Sequence, residues 1–242
     1  MSPLPVSLSV VVPCYDEERR IGGSLQVLVT TLADMPVNGW EVVVVDDRST
    51  DRTAAIVSAA AADEPRVRLV STARGKGKGA AVRAGALAAT GEAVLVIDAD
   101  LAADLAVLPE MLRAVAAGDA DAVLGSRLIA GAQIEPARNI GRRVAAAAFR
   151  AAVRVVTPLR VSDPQCGCKL FRGDVLREHA ARLQTDGYAY EVELLLRLHA
   201  AGATIREVPV RWCEGGDSKV RVVHDGVAMF ADLWRARRRA QR

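Results

Sequence analysis

Four short runs of β-branched and apolar residues, SLSVVVP, EVVVVDD, RVRLVST and EAVLVIDAD, divide the first half of the chain, each followed by a stretch rich in Ala, Leu, Arg and Glu that suits a helix. DAVLGSR reads as a fifth strand. Strands that alternate with helices become neighbours through crossovers, and crossovers place helices over both faces of a mostly parallel sheet. The expected fold class is therefore α/β, a Rossmann-like sheet in one domain. Sheets of this kind take their ligands beyond the carboxyl ends of the strands. The sequence concentrates its polar chemistry there: Pro13 to Glu17 after the first run, Asp46 and Asp47 after the second, Asp98 and Asp100 after the fourth.

Asp98-Ala99-Asp100 is the sharpest of these signals. On an extended segment the two carboxylates would point to the same side, since side chains alternate with period two. A hard cation such as Mg²⁺ or Mn²⁺ accepts such oxygen ligands and leaves its other positions to water and substrate phosphates. The competing reading is an ordinary acidic loop or helix cap.

Composition narrows the class. With 242 residues, 51% hydrophobic and 25% charged, the chain has the composition of a soluble globular protein with a large core. No segment approaches the roughly 18 uninterrupted apolar residues of a membrane span, because the Ala- and Val-rich stretch from Val144 to Val156 is cut by Arg150 and Arg154. The N-terminal MSPLPVSLSVVVP lacks the basic region of a signal peptide, so a cytoplasmic location is expected. Four cysteines make no disulfide framework, and Cys166-Gly-Cys168 has no partner pair at zinc spacing. The three histidines, His179, His199 and His224, read as solvated or hydrogen-bonded side chains.

The net charge of +3 is unevenly spread, because the last eight residues, RARRRAQR, carry five arginines and no acid. That tail reads as a solvated charge run or as an electrostatic anchor to an acidic surface. Nucleic acid is not expected as a partner.

The second half is less regular. A basic, Ala-rich helix is expected from about Ala137 to Val156, then SDPQCGCKLF, a helix around Tyr188 to Ala200, a strand TIREVPVRW, the glycine loop CEGGDSK and a last helix. No Pro- or Ser-rich linker intervenes, and the expected organisation is a nucleotide-binding half, 1–127, and an acceptor-side half, 128–242. In RGKGKGAAVRAG, Gly75, Gly77 and Ala80 fit a dinucleotide-binding turn, which would make a nicotinamide-dependent dehydrogenase. Against this, the turn follows the third strand and carries two lysines. Lys76 and Lys78 suit a loop near an anionic donor or a solvated turn.

Taken in order, VVVPCYDEE, VVVVDDRSTDRT, RGKGKGAAVRAG, the DAD and GSR at 125–127 resemble the nucleotide-sugar-binding half of family 2 glycosyltransferases. SDPQCGCKLF, YAYEVELL and EVPVRWCEGGDSK are similar to the polyprenyl-phosphate hexosyltransferase branch, most of all to dolichyl-phosphate glucosyltransferases. The resemblance implies a GT-A fold and metal-dependent, inverting transfer of a hexose, glucose from UDP-glucose, to a polyprenyl phosphate. It implies donor contacts at Pro13, Tyr15, Glu17, Asp46, Asp47, Lys76, Asp98, Ala99 and Ser218, and a Mg²⁺ or Mn²⁺ ion on Asp98 and Asp100, with Asp100 the firmer ligand. Arg127 would sit beside donor phosphates or sugar, and Ser218 and Lys219 in a segment that closes over the donor. Four positions depart from the family pattern: Asp16 stands for Asn, Arg48 for the Gly of DDGS, Cys168 for an aromatic and Glu191 for an Asp.

Cleavage of a nucleoside-diphosphate sugar builds charge on the leaving diphosphate, which cations neutralise as it forms. A phosphate acceptor is already anionic and needs no strong base, whereas a soluble hydroxyl acceptor needs a carboxylate to take its proton. Asp163 and Glu191 are the candidates for that role. Arg138, Arg142, Arg143, Arg150 and Arg154 fall within an arc of roughly 160° at the helical period, opposite Val144, Ala151 and Val155. The plain reading is an apolar stripe facing the core behind a solvated basic face. The sharper one is an interfacial helix on anionic lipid, at the inner face of the membrane, with Arg138 and Arg142 toward the acceptor phosphate. Two further classes remain open, a dehydrogenase and a nucleotide-sugar-binding module without catalysis.

Overall fold

A computed structural model describes residues 4, 6–72, 75–135, 140–213 and 232–238, with the side chains of 140–143 left aside. Seven strands form one sheet in the order β3-β2-β1-β4-β7-β5-β8. They are β1 (Leu8–Cys14), β2 (Trp40–Asp46), β3 (Val67–Ser71), β4 (Ala93–Ile97), β5 (Ala122–Ser126), β7 (Cys168–Arg172) and β8 (Ile205–Pro209). A two-stranded ribbon pairs β6 (Gln133–Ile134) with β9 (Arg211–Trp212). Within the seven-stranded sheet the pairings are parallel except for those of β7, which runs antiparallel to both β4 and β5.

Period-two alternation divides the core between the two faces. Val10, Val12, Val42, Val44, Leu95 and Ile97 pack on one side with α1 (Ile21–Ala33), α2 (Thr53–Asp63) and α4 (Leu108–Ala116). Their neighbours Val11, Val43, Val45, Val94 and Val96 pack on the other with α3 (Lys78–Ala88), α5 (Ile140–Val156), α6 (Gly173–Ala181), α7 (Tyr190–Ala200) and the helical residues 232–238. Helices thus cover both faces, as the alternation of elements requires.

One expectation about the second half is corrected, and one segment left unassigned takes its place in the sheet. CKLF, given no element above, is the central strand β7, whose backbone groups are paired by β4 on one side and β5 on the other. TIREVPVRW is two strands in different sheets: Val210 bonds across to Ser126, and the chain turns from β8 into the β9 ribbon.

The stripe Val144, Ala151, Val155 does not face the core. Val144 is 63% and Val155 87% exposed, while Phe149 and Val153 carry α5 into the interior. Phe149 is the largest apolar side chain of that helix, and it sets the rotation. Among the described residues no helix is long and apolar enough to cross a membrane. The four cysteines are free, as their spacing suggested.

Candidate active site

The sheet order reverses direction between β1 and β4, so the crevice at their carboxyl ends is the switch point at which such sheets bind ligands. Backbone geometry marks the same place. Asp16 (φ 51°), Arg48 (φ 61°) and Leu101 (φ 48°) are the non-glycine residues in the left-handed region among those described, one each in the turns after β1, β2 and β4. Such conformations gather at functional sites because surrounding contacts hold them there. An Asn or Asp tolerates the region well, which explains Asp16. Arg48 takes a conformation that suits the glycine of the family pattern, and its guanidinium donates to the Gly75 carbonyl, which ties the β2 turn to the glycine run.

The acidic residues of the first turns are held by main-chain amides. Asp16 accepts from Thr50 N at 2.7 Å, and Asp46 accepts from Ser49 N at 3.2 Å. Asp47, almost fully buried, accepts from Gly77 N at 2.6 Å and from the Thr72 hydroxyl at 3.1 Å. Glu17 pairs with Arg20 at 2.8 Å, and its amide donates to Thr53 Oγ1. Pro13 is half-buried at the end of β1, and Tyr15 is exposed, with the Lys76 ammonium 5.7 Å from its ring centroid. Asp16 beside it raises the Tyr15 hydroxyl pKa.

The glycine run corrects the dinucleotide reading. At the start of α3, Gly79 N and Ala80 N both donate to the Asp186 carbonyl, at 2.7 and 3.2 Å, and Gly77 N is taken by Asp47. These are the donors a pyrophosphate would need. A Cβ at Gly79 would collide with the Thr185 carbonyl and with Tyr190. The glycines therefore serve close packing of α3 against the segment before α7.

The DAD is a turn rather than an extended segment. β4 ends at Ile97, and Leu101 N donates back to the Asp98 carbonyl at 3.0 Å. Period-two geometry thus does not govern the pair, yet the turn still keeps the two carboxylates close enough to interact. Burial and the charge of Asp98 raise the Asp100 pKa, against the pull of the Ala102 amide, Arg20 and Lys78. Asp98 is bound by the Lys78 ammonium at 2.8 Å, and its carboxylate packs on Gly167, where any Cβ would clash with it. Ala99 is buried, and its carbonyl accepts from Ser24 Oγ at 2.6 Å. Among the described residues no three His, Cys, Asp or Glu side chains converge as a metal-binding group. The oxygen donors of Asp98 and Asp100 suit a hard divalent cation that takes the rest of its shell from diphosphate and water.

Behind the DAD the carboxylates are held by cations. Asp163 is completely buried and makes a bidentate pair with Arg127, Nε to Oδ2 at 2.7 Å and Nη2 to Oδ1 at 2.9 Å, and it also accepts the Arg127 amide at 3.1 Å. Burial alone would raise its pKa; the guanidinium outweighs that and holds it below the ordinary value. Arg127 lies 4.6 Å from the ring centroid of Trp212. Glu191 is buried and bound by Lys169 at 2.6 Å, with Lys78 at 3.9 Å. Burial pushes the Cys166 thiol up to about 11.

The site thus gathers Asp98, Asp100, Glu191, Lys78 and Lys169 behind the β4 turn, with the Arg127–Asp163 pair after β5. Lys169 was not anticipated, although a lysine inside the apolar run CKLF is a signal, since a lysine is almost never buried without a partner. Lys78, read as a turn residue, is instead the first residue of α3 and largely buried. Arg138, Ser218 and Lys219 lie outside the described residues, as does the side chain of Arg142.

Comparison with known proteins identifies the family. The model of glycosyl transferase family 2 matches residues 9–180. Glycosyltransferase AglD of Haloferax volcanii is 32% identical over 231 residues, 95% of this chain but only 37% of that protein. A dolichyl-phosphate beta-glucosyltransferase of Trichomonas vaginalis is 33% identical over 229 residues, 91% of this chain and 68% of that protein. The crystal structure of glucosyl-3-phosphoglycerate synthase from Mycobacterium tuberculosis with Mn²⁺, UDP-glucose and phosphoglyceric acid has a TM-score of 0.69 at 21% identity, over 96% of this chain and 80% of that one. That likeness is one of fold, the GT-A arrangement. With the family matched over most of its length and its strand-end acids in place, this chain belongs to glycosyl transferase family 2 and is a glycosyltransferase.

Proposed function

We propose that the protein transfers glucose from UDP-glucose, with inversion, to a polyprenyl phosphate. The observation that carries the acceptor class is the state of the two carboxylates able to act as a base. Asp163 and Glu191 are both buried and both bound by cations. A carboxylate held by a guanidinium with a lowered pKa is a poor proton acceptor. An acceptor that brings its own anionic oxygen avoids the need: the phosphate oxygen attacks the anomeric carbon, the bond to the diphosphate breaks, and the electron pair leaves with the diphosphate. The relatives named as dolichyl-phosphate beta-glucosyltransferases, from Trichomonas vaginalis to Saccharomyces cerevisiae, support the same acceptor class.

In this reading Pro13, Tyr15, Glu17, Asp46 and Asp47 hold the nucleoside, with Lys76 and Ala99 at its rim. Asp100, with Asp98, would hold Mg²⁺ or Mn²⁺, which when bound supplies positive charge to the leaving diphosphate. Arg127 is fixed by Asp163 and Trp212, so its charge is oriented before the donor arrives. Incubation with labelled UDP-glucose, Mn²⁺ and a short polyprenyl phosphate tests the reaction. Label in the organic phase supports it. Label transferred only to a soluble hydroxyl acceptor overturns the phosphate reading and leaves the donor reading intact.

The outer face of α5 gives the acceptor a place to come from. Val144, Ala147, Ala148, Ala151 and Val155 are exposed at helical spacing, with Arg154 exposed and Arg150 half-buried beside them. An apolar stripe flanked by arginines fits the surface of an anionic membrane. Binding to anionic liposomes is expected to fall as salt rises and to weaken in Val155→Glu. Absent or salt-insensitive binding contradicts an electrostatic contribution.

A further inference from the structure

The ion pairs behind the DAD balance by themselves. Asp98 and Glu191 supply two negative charges, Lys78 and Lys169 two positive ones, linked at 2.8, 3.9 and 2.6 Å. Asp98 is therefore not an acid short of a cation, whereas its neighbour Asp100 makes no ion pair with a described residue. A divalent cation on Asp98 and Asp100 shares Asp98 with an ammonium already in contact with it, in a largely buried setting where charges are weakly screened. Like charges brought that close oppose each other. A nucleoside diphosphate brings the missing negative charge and offers the ammonium a second partner.

We propose that Lys78 couples the two ligands of the donor site: by holding Asp98 it weakens binding of a divalent cation alone, so that cation and nucleoside diphosphate each bind well only with the other. The inference rests on the donor-site reading above and adds to it a residue that sets the order of assembly. Lys78 is well placed for this. As the first residue of α3 it stands where Gly77 and Gly79 are locked by Asp47 and Asp186, so its backbone is fixed while its side chain reaches from the glycine run to the DAD. Glu191 provides an alternative anion 3.9 Å away, which keeps the ammonium in the site when Asp98 is shared. The coupling is reciprocal: whatever factor UDP adds to metal affinity, the metal adds to UDP affinity.

The test is Mn²⁺ binding, followed by electron paramagnetic resonance of the free ion, with and without UDP. In the wild-type protein UDP is expected to tighten Mn²⁺ by about tenfold or more. In Lys78→Met, Mn²⁺ without UDP is expected to bind more tightly than in the wild type and the UDP effect to shrink, while Lys78→Arg keeps both near the wild-type values. Mn²⁺ that binds the wild-type protein equally well with and without UDP overturns the inference, with no variant needed. So does Mn²⁺ affinity without UDP that is unchanged or weaker in a folded Lys78→Met. If Mn²⁺ binds the wild type under neither condition, the donor-site reading itself fails. Binding that requires UDP but ignores Lys78 overturns the inference and leaves the donor-site reading intact.

Discussion

In the turns after β1 and β2 the carboxylates of Asp16, Asp46 and Asp47 are held by main-chain amides, whereas behind β4 and β5 those of Asp98, Asp163 and Glu191 are held by ammonium and guanidinium groups. The amide-held acids are fixed beside the crevice, where under the proposed function they would meet the polar groups of a nucleoside. The cation-held acids are neutralised and rigid, and their value lies in the cations they orient. Under the proposed function one half of the site would recognise the nucleoside, and the other would supply fixed positive charge toward a diphosphate and a phosphate.

The two halves should respond differently to mutation. Lys169→Met leaves Glu191 buried with only the more distant Lys78, and removal of one partner from a buried pair costs about 3–5 kcal/mol. Chemical denaturation should show that loss, and the double change Lys169→Met with Glu191→Leu should recover much of it. An equal cost for single and double variants would mean that the pair is not the unit. Asp163→Ala should fall in the same range of about 3–5 kcal/mol and should also change the response to acid. The folded-state pKa of Asp163 lies below its unfolded value, so its contribution is fully present above the unfolded value near 4 and is lost as pH falls through the folded one. Asp163→Ala should therefore flatten acid unfolding, and an unaltered acid limb would contradict the bidentate pair.

Asp47→Asn keeps one acceptor oxygen and should lose about 1.5–3 kcal/mol, the range for a hydrogen bond to a charged group, with a larger effect on UDP affinity than on transfer rate. A loss as great as that of Lys169→Met would erase the distinction between the halves. At the small end, Glu178 and Arg182 are both more than half exposed. Glu178→Gln should leave the melting temperature unchanged within error, since exposed helical pairs contribute little.

The same contrast explains what the sequence could reveal. Asp46 with Ser49 is local, three positions on, but Asp16 with Thr50 and Asp47 with Gly77 are 34 and 30 positions apart, so these acids were legible as residue types at strand ends and their amide partners were not. The alternation of β1 to β5 with helices was legible because its periodicity is local. Lys169 with Glu191, and Arg127 with Asp163, join residues 22 and 36 positions apart. No short motif records such a pairing, and only the insertion of antiparallel β7 between β4 and β5 brings the first of them together. The DAD turn was placed correctly but misread as extended, because the left-handed Leu101 that closes it is not a residue type that announces a turn. The orientation of α5 was misread because Phe149 and Val153, which enter the core, lie on the same side of the helix as the arginines, opposite the exposed Val144 and Val155.

Under the proposed function Asp98 and Asp100 form the metal-dependent part of a nucleotide-sugar site. The decisive experiment is calorimetry of UDP binding with and without Mn²⁺, in the wild type and in Asp100→Ala, with NAD as the competing ligand. UDP binding that Mn²⁺ strengthens is expected in the wild type, with only weak metal-independent UDP binding and no transfer in Asp100→Ala. Binding of NAD alone, or full activity of Asp100→Ala, would contradict this assignment.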